Sequence, residues 1–428
     1  MKSTFSRLEF LKLTAKSLLA FSLGSYFPGL RSASAREAGL DTSLDASYVR
    51  QLITKDASAS RTIMWQSADP QDGAQVVCRR KGDSRLFAVR AAAAPFQDDG
   101  VGCYIHTARL SPLQPGIDYE YRMICSEQGT PWYALHTPDA GAFQALIFPD
   151  SQCSDGYVTW RNIAQNAAAR NPKASFFINM GDLVDNGEDH NQWQDWFNAL
   201  SGIIDRLPFA PVMGNHAAYN LDWKCRLPVA WLHYFNVPDN GSEKFRRYYY
   251  SFDYGPVHFT VLNNLWEELD PLQPGLLAEE IPWLRADIAA SKAKWNIVLM
   301  HKDVINYDCP NASDPVSGDI DPVGQKLMPV FDELGIDVVL TAHQHTYRRL
   351  GHIFGFHPAA QGPLYIDTGN AGNVRYNVPV NKRFDQKILP QPEVDNYMTL
   401  EASAAQLTFR CFQPDGSLAD QYTLSARK

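Results

Sequence analysis

Closely spaced cysteines are missing from this sequence. Its 428 residues include seven cysteines, which are widely separated along the chain: Cys78, Cys103, Cys125, Cys153, Cys225, Cys309 and Cys411. Thiolate zinc clusters and redox dithiols both depend on C-x-x-C pairs, so the sequence argues against either kind of site. An odd number of cysteines also leaves at least one thiol outside any intramolecular disulfide, and the pairing of the others is open.

An excess of positive charge is missing as well. The chain has 39 lysines and arginines against 47 aspartates and glutamates, which gives a formal net charge of −8. An acidic surface repels phosphate backbones, so we do not expect the chain to bind a nucleic-acid duplex. Any chemistry on a phosphate group would need a local positive centre. The sequence does not indicate an oligomeric state.

Long apolar runs are missing beyond the N-terminus, so no stable membrane span is expected. The apolar run near the start, residues 17–23, is too short to cross a bilayer and follows four basic residues: Lys2, Arg7, Lys12 and Lys16. Small residues at 33–35 then offer a cleavage site. This pattern predicts an export signal over residues 1–35 and a periplasmic or secreted protein, by either the general or the twin-arginine route. The alternative is an N-terminal segment that is kept.

Short strands follow, from about residue 47 to residue 137. Residues 62–66, 75–78 and 119–124 are runs of strand-forming residues between turn-forming clusters. Many short strands at this spacing predict a small β-sandwich, which we place at residues 36–139. No histidines or carboxylates gather in it, so we expect it to pack against the rest of the chain or to form a rim of the substrate site.

From residue 143 the pattern changes to apolar strands that alternate with helical stretches. Such alternation predicts α/β layering, in which ligands bind beyond the carboxyl ends of the strands. Five strands end in polar residues that would then converge: Asp150, Asp182, Asn215, His301 and His343. The motifs are D-x-Q, G-D-x-x-D, G-N-H, a single histidine and A-H-x-H, in that order along the chain.

This set of residues suits a pair of divalent cations. A buried carboxylate such as Asp182 is costly unless a metal ion neutralises it, and its two oxygens can bridge two ions. Asparagine and histidine are ligands acceptable to Mn, Fe, Zn or Co. Two ions about 3.5–4 Å apart can clamp an in-line displacement and lower the pKa of a bound water to about 7, which supplies hydroxide as the nucleophile.

The ordered motifs resemble those of the calcineurin-like metallophosphoesterases. The preceding strands are similar to the N-terminal domain of purple acid phosphatases, notably at residues 106–110 and 121–122, and residues 365–372 resemble a late glycine segment of that family. The resemblance implies a four-layer α/β/β/α metallophosphoesterase domain over residues 140–428, preceded by a fibronectin III-like β-sandwich.

The resemblance also implies the ligands of two divalent metal ions. The first ion would be held by Asp150, Gln152, Asp182 and His345. The second would be held by Asp182, Asn215, His301 and His343, so that Asp182 bridges both ions. His216 would contact the substrate phosphate or protonate the leaving oxygen. If residues 343–345 are extended, both imidazoles point the same way and each can serve a different ion.

Three positions depart from the family pattern. Gln152 replaces the usual histidine of the first motif, and its amide oxygen can still bind a metal. Asp185 stands where purple acid phosphatases have a metal-ligating tyrosine, so we expect no tyrosinate-to-iron colour. Ala217 replaces the acidic residue that commonly orients the preceding histidine, which leaves the orientation of His216 unexplained.

The sequence therefore predicts an exported, metal-dependent phosphoesterase that acts on a small phosphoester, with Asp182 and His216 as its catalytic residues. A monoester, a diester and a nucleotide diphosphate all remain possible as substrates. Two other functions remain open. One is a catalytically silent phosphate- or nucleotide-binding protein on the same scaffold, and the other is a purely structural metal site with closed coordination.

Overall fold

The computed structural model of the chain describes residues 42–307, 320–376, 380–381, 383–389 and 395–426. The predicted export signal at residues 1–35 and Cys309 lie outside the described residues. The N-terminal part contains nine strands: β1 (Ser47–Leu52), β2 (Arg61–Ser67), β3 (Gln75–Arg80), β4 (Phe87–Arg90), β5 (Ala92–Asp98), β6 (Val101–Leu110), β7 (Asp118–Cys125), β8 (Gln128–Gly129) and β9 (Tyr133–His136).

The remainder of the chain combines strands with helices. Its strands are β10 (Phe143–Phe148), β11 (Ala174–Asn179), β12 (Phe209–Pro211), β13 (Tyr250–Tyr254), β14 (Val257–Val261), β15 (Trp295–Leu299), β16 (Val338–Thr341), β17 (Tyr347–Phe354), β18 (His357–Pro358), β19 (Leu364–Thr368), β20 (Lys387–Ile388), β21 (Tyr397–Ala402), β22 (Gln406–Phe412) and β23 (Leu418–Ser425). Its α-helices are α1 (Val158–Arg170), α2 (His190–Ala199), α3 (Val229–Tyr234), α4 (Trp266–Leu269), α5 (Leu276–Ala290) and α6 (Pro322–Leu334).

Local sequence explains where the helices begin and end. The Asp189 carboxylate accepts hydrogen bonds from two backbone N–H groups in the first turn of α2, as an N-cap residue should. Asp321 caps α6 in the same way, with Pro322 in the first turn, where its missing N–H costs nothing. Gly335 ends α6 in the left-handed conformation that L-residues with a side chain avoid.

Two large sheets face each other in the C-terminal part, with helices outside both. Along β15, Ile297 and Leu299 join the core between the sheets, whereas Val298 joins the core beneath α5 and α6. On the other sheet, the Phe148 ring packs edge-on against Trp160 of α1 at 5.0 Å between centroids. This period-two alternation produces helix, sheet, sheet and helix layers. The predicted four-layer α/β fold is confirmed.

The N-terminal strands form the predicted sandwich, but one of its sheets is not separate. Its core is built by Ile63, Trp65, Val76 and Tyr121, among others. However, β1 pairs in parallel with β12, where Leu52 lies opposite Phe209. A ten-stranded sheet therefore runs through both parts in the order β23-β22-β21-β10-β11-β12-β1-β2-β6-β5. The boundary between residues 36–139 and 140–428 stays a prediction.

The described cysteines are all free thiols: Cys78, Cys103, Cys125, Cys153, Cys225 and Cys411. Among the residues that the structure describes, no helix has both the length and the hydropathy that crossing a bilayer requires. Neither observation tests the predicted location of the protein.

The fold also makes a testable prediction about His258, which bridges the second sheet and α5. Its ring nitrogens lie 2.7 Å from Asp253 Oδ1 and 2.9 Å from Asp287 Oδ2. Burial disfavours the charged ring, but hydrogen bonds to both carboxylates outweigh it and raise the pKa of His258 to about 9. Because the folded pKa lies above the unfolded value of about 6.5, this contribution to stability is complete below pH 6.5 and is lost as the pH rises towards 9.

We therefore expect His258→Gln to lower the free energy of unfolding by about 2 kcal/mol at pH 6, after allowing for screening by solvent at the exposed Asp253. The difference between the two proteins should shrink as the pH approaches 9. Urea titrations at pH 6, 7.5 and 9 would measure it. A difference that does not change with pH would contradict the ionic role of His258.

Candidate metal centre

The predicted site residues lie at one end of the two facing sheets. Strands β10, β11 and β12 pair in parallel in the first sheet, and β15 and β16 pair in parallel in the second. The loops that leave the carboxyl ends of these strands carry the candidate residues, which are buried apart from the partly exposed His343: Asp150, Asp182, Asn215, His301 and His343. The two sheets thus deliver donor groups to a common place from opposite sides.

Asp182 is at the centre of this cluster. Its Oδ1 accepts a hydrogen bond from the backbone N–H of His216 at 2.9 Å, and its Oδ2 lies 3.0 Å from His301 Nε2. Its backbone is left-handed, with φ of 44°, a conformation that costs free energy in a residue with a side chain. Burial alone would raise the pKa of this carboxyl, but the imidazoles of His301 and His216 outweigh burial and hold it well below its usual range.

Two glycines make room for this arrangement. A Cβ at Gly181 would collide with the His301 ring, and the residue has a φ of +114° that a side chain would strain. A Cβ at Gly214 would collide with the Asp182 carboxylate and its backbone nitrogen. The glycines of the G-D and G-N-H motifs are therefore required by the close approach of the two loops.

His301 presents one specific ring nitrogen to the cluster. Its Nδ1 donates to the Met180 carbonyl oxygen at 3.0 Å, which leaves Nε2 facing inward, 3.1 Å from Asn215 Oδ1. Burial disfavours the imidazolium, but the Asp182 carboxylate and then Asp150 raise the pKa of His301 to about 9. In effect, the carboxylates attract a positive charge at this point, and either a proton or a metal cation can supply it.

A second group of donors surrounds Asp150. Its Oδ1 is buried and has no hydrogen-bond partner among the described residues, and it lies 3.5 Å from His345 Nε2. His345 Nδ1 donates to the Val374 carbonyl oxygen at 2.8 Å, so Nε2 is the ring nitrogen on the side of Asp150. The side-chain amide of Gln152 is fully buried, and neither its oxygen nor its nitrogen has a hydrogen-bond partner in the described part of the chain.

The condition of an extended backbone at residues 343–345 is not met. His343 and His345 have φ angles of 73° and 52°, so the segment is a tight left-handed loop and not an extended strand. The backbone N–H of His343 donates to Asp150 Oδ2 at 3.0 Å, which pulls the loop around that carboxylate. The two rings still belong to different groups of donors. The His343 ring packs edge-on against His301, with centroids 5.1 Å apart.

The donor set fits divalent cations. Ligands about 2.0–2.2 Å from one ion lie roughly 3–3.5 Å from each other, and the separations from His301 to Asp182 and Asn215, and from His345 to Asp150, fall in that range. One ligand atom each from Asp182, His301 and His343 lies within 4.8 Å of the other two. Burial and the neighbouring His301 lower the pKa of His343 to about 4, so that its ring is neutral at pH 7, as a metal ligand must be.

Asp185 supplies the orientation for His216 that Ala217 cannot. His216 Nδ1 donates to the backbone carbonyl oxygen of Asp185 at 2.6 Å, and the Asp185 carboxylate lies 3.7 Å away. The other ring nitrogen, Nε2, then faces the cluster, 3.8 Å from Asp182 Oδ2. The G-D-x-x-D loop therefore holds both the central carboxylate and the histidine beside it.

Two tyrosines and three carbonyl groups at this site were not predicted from the sequence. The Tyr219 hydroxyl lies 3.4 Å from the Asn215 amide nitrogen, and the Tyr376 ring packs on His345 at 4.3 Å between centroids. Tyr219 follows Asn215 by four residues, a spacing that could have drawn attention to it. The carbonyl groups that orient the histidines belong to the backbone, so no residue type signals them: Met180, Asp185 and Val374.

Comparison with known proteins supports the predicted fold and the predicted family resemblance. The family described as calcineurin-like phosphoesterase matches residues 135–347, a range that contains all seven donor positions. The purple acid phosphatase N-terminal domain matches residues 47–137. The chain carries a calcineurin-like phosphoesterase domain. The predicted family resemblance is confirmed in both parts of the chain.

Individual relatives agree with this assignment. An uncharacterized protein of Mycobacterium tuberculosis is 25% identical over 365 residues, which are 77% of this chain and 64% of that protein. Human acid phosphatase type 7 is 25% identical over 349 residues, 73% of this chain and 75% of that protein. The purple acid phosphatase PPD1 from yellow lupin seeds superposes with a TM-score of 0.74 at 21% identity, covering 89% of this chain and 74% of that one, and shares the fold.

Metal binding at Asp182 can be tested without an assay of activity. We expect Mn²⁺ at about 100 times its Kd to stabilise the metal-free protein by about 2.7 kcal/mol, which corresponds to a Tm higher by roughly 3 °C for a chain of this size. Asp182→Asn should abolish this rise, whereas Asp185→Asn, in the same loop but outside the predicted ligand set, should keep it. Thermal melts of the three proteins with and without Mn²⁺ make the comparison. An equal rise in Asp182→Asn would contradict the predicted ligand.

Proposed function

We propose that this chain hydrolyses a small phosphoester with a dinuclear metal centre. The observation that supports it most strongly is the convergence of buried, preoriented donors from two sheets on the Asp182 carboxylate. A carboxylate in this position is costly to bury, and three histidine rings near it are held by backbone carbonyls so that Nε2 is left facing the cluster. Such preorganisation is what a catalytic metal site requires.

The proposed ligands are those that the motifs indicate. One ion would be held by Asp150, Gln152, Asp182 and His345, and the other by Asp182, Asn215, His301 and His343. Their oxygen and nitrogen donors are compatible with Mn, Fe, Zn or Co. When bound, the ions would supply Lewis acidity and a nucleophile at neutral pH. Because Gln152 contributes a neutral amide, the first site would carry one imidazole fewer than the usual family pattern.

His216 is proposed to deliver a proton to the leaving oxygen. The Asp185 carbonyl accepts from Nδ1, so the proton available to a substrate is the one on Nε2. The His216 side chain keeps 13% of its surface exposed, while Asp182 keeps 1%, so His216 is the more accessible of the two to a ligand entering from solvent. General acid catalysis needs such a ring as an imidazolium, with its orientation fixed through Nδ1 and its Nε2–H directed at the leaving oxygen.

Two observations favour a catalyst over the alternatives. A structural metal site has closed coordination, whereas His343 is only half-buried, so the described cluster is open on one side. A silent binding protein has no use for a proton donor, whereas His216 is held in place by a short hydrogen bond from a ring nitrogen. Hydrolysis uses both features.

Turnover of a test ester decides between these functions. We expect the protein loaded with Mn²⁺, Fe²⁺, Co²⁺ or Zn²⁺ to hydrolyse at least one of a p-nitrophenyl monoester, its bis-ester and a nucleotide diphosphate. Asp182→Asn should remove nearly all turnover. His216→Ala should lower kcat by about 10²–10⁴ for a poor leaving group and by much less for p-nitrophenolate, which needs little protonation.

The control for the His216 prediction is Asp185→Ala. It removes the carboxylate but keeps the backbone carbonyl that accepts from His216, so only a small change in kcat is expected. A loss as large as that of His216→Ala would show that the carboxylate orients the ring. Folded, metal-loaded protein without turnover on any ester would reject hydrolysis and leave the binding scaffold.

We also propose that the chain is exported, since basic residues precede a short apolar run and a small-residue segment at residues 33–35. Expression of the full chain in a bacterial host followed by mass spectrometry of the periplasmic fraction should find a protein that begins at or near Arg36. Full-length protein that stays with the cytoplasmic fraction would contradict this proposal.

A further inference from the structure

The loop of residues 219–226, which follows the G-N-H motif, carries an exposed tryptophan beside the metal centre. Trp223 keeps 55% of its surface exposed, a large fraction for a side chain that usually buries 150–250 Å² in a protein core. Its backbone is left-handed, with φ of 58°. A glycine or asparagine takes this conformation at lower cost, so the folding of the loop does not explain the choice of tryptophan.

The loop holds this tryptophan in a defined place. Asn220 Oδ1 accepts from the backbone N–H groups of Asp222 and Lys224 at 3.0 and 2.8 Å, and the N–H of Trp223 donates to the Asn220 carbonyl oxygen at 2.8 Å. The same carbonyl accepts from Asn186 Nδ2 at 2.7 Å, which ties the loop to the segment after Asp185. The indole is thus exposed and also fixed by the backbone that carries it.

Trp223 lies next to His216, the proposed proton donor. The Trp223 ring packs edge-on against the His216 ring, with centroids 5.9 Å apart and an interplanar angle of 85°. Tyr219 contacts both rings, at 5.5 Å from His216 and 6.2 Å from Trp223. A second exposed aromatic ring, Tyr376, lies on His345 instead. Trp223 is therefore the exposed indole beside the proposed proton donor.

In hydrolysis, a water oxygen forms the new bond to phosphorus while the bond from phosphorus to the leaving oxygen breaks. The electron pair of that bond stays on the leaving oxygen, which takes its proton from His216 Nε2. The group attached to the leaving oxygen must therefore lie next to His216. The aromatic rings in contact with His216 are those of Trp223, which is exposed, and Tyr219.

We infer that Trp223 binds the leaving group of the substrate, and that this group carries an aromatic ring which stacks on the indole. The inference rests on the proposed function, because it places the leaving group through the role of His216. An indole face suits aromatic rings and discriminates poorly among them, since every aryl group and nucleobase has a π face. The shared chemistry is an aromatic ring near the ester oxygen, from either an aryl ester or a nucleoside ester.

Binding without turnover gives the first test. Phenylphosphonate and methylphosphonate are not hydrolysed and differ in the aromatic ring. By calorimetry on metal-loaded protein, we expect Trp223→Asn to weaken the binding of phenylphosphonate about fivefold to tenfold. The affinity for methylphosphonate should stay unchanged. Asparagine tolerates the left-handed backbone, so this variant should fold with a Tm no lower than that of the parent. Trp223→Phe should restore most of the lost affinity.

Turnover experiments then distinguish an aryl ester from a nucleoside ester as the source of the aromatic ring. One pair of substrates is phenyl phosphate and a fluoroalkyl phosphate whose alcohol is about as acidic as phenol; the other is adenosine 5′-phosphate and ribose 5-phosphate. For at least one pair, Trp223→Asn should lower kcat/KM for the aromatic member and not for its partner. Leu221→Ala replaces another exposed residue of the same loop. It should leave unchanged, in each pair, the ratio of kcat/KM for the aromatic substrate to kcat/KM for its partner.

The outcomes separate this inference from the proposed function. If the parent protein turns over esters but Trp223→Asn changes neither the phosphonate affinities nor either ratio, hydrolysis stands and the aromatic subsite is wrong. Equal losses for aromatic and non-aromatic ligands would also overturn the inference, since they would indicate a general effect on the centre. If the parent turns over no ester, the proposed function fails and this inference fails with it.

Discussion

The structure around this site depends on one constraint, which is the burial of the Asp182 carboxylate where two sheets meet. A charged carboxylate in a low-dielectric interior must be compensated, and here His301 Nε2, the His216 N–H and the surrounding loops do so. The left-handed backbone of Asp182, and the glycines that leave space beside it, follow from bringing the two loops this close. These costs are explained if the compensating charge is a pair of bound metal ions, with the His301 proton filling part of that role in their absence.

Much of this could be predicted from the sequence, and the reasons are physical. Continuous apolar runs indicated which strands are buried, and the polar residues at their carboxyl ends were expected to converge, as Asp182 and His301 do although they follow strands of different sheets. Backbone geometry could not be predicted in this way. The left-handed His343 and His345 were expected in an extended segment, and the carbonyl that orients His216 has no side-chain signature. Pairing of β1 with β12 was also hidden, because a single strand edge gives no local signal of its distant partner.

The departures from the family pattern have different consequences for the centre. Loss of an acidic residue at Ala217 is offset, because the Asp185 carbonyl orients the histidine ring from the other side. Replacement of histidine by Gln152 is not offset by another imidazole among the described residues, and its amide atoms remain buried without hydrogen-bond partners there. In the proposed centre, a metal ion would be the partner of this amide oxygen. In the proposed centre, the two changes would therefore keep the orientation of His216 and confine the chemical difference to the first metal site.

The central claim is that the Asp182 carboxylate lies between two metal ions. Anomalous X-ray diffraction from metal-loaded crystals, collected across the absorption edges of manganese, iron, cobalt and zinc, tests it most directly. The account predicts two anomalous peaks on either side of this carboxylate, one beside Asp150 and His345 and the other beside Asn215 and His301. A single peak, or two peaks that do not share Asp182, would contradict it.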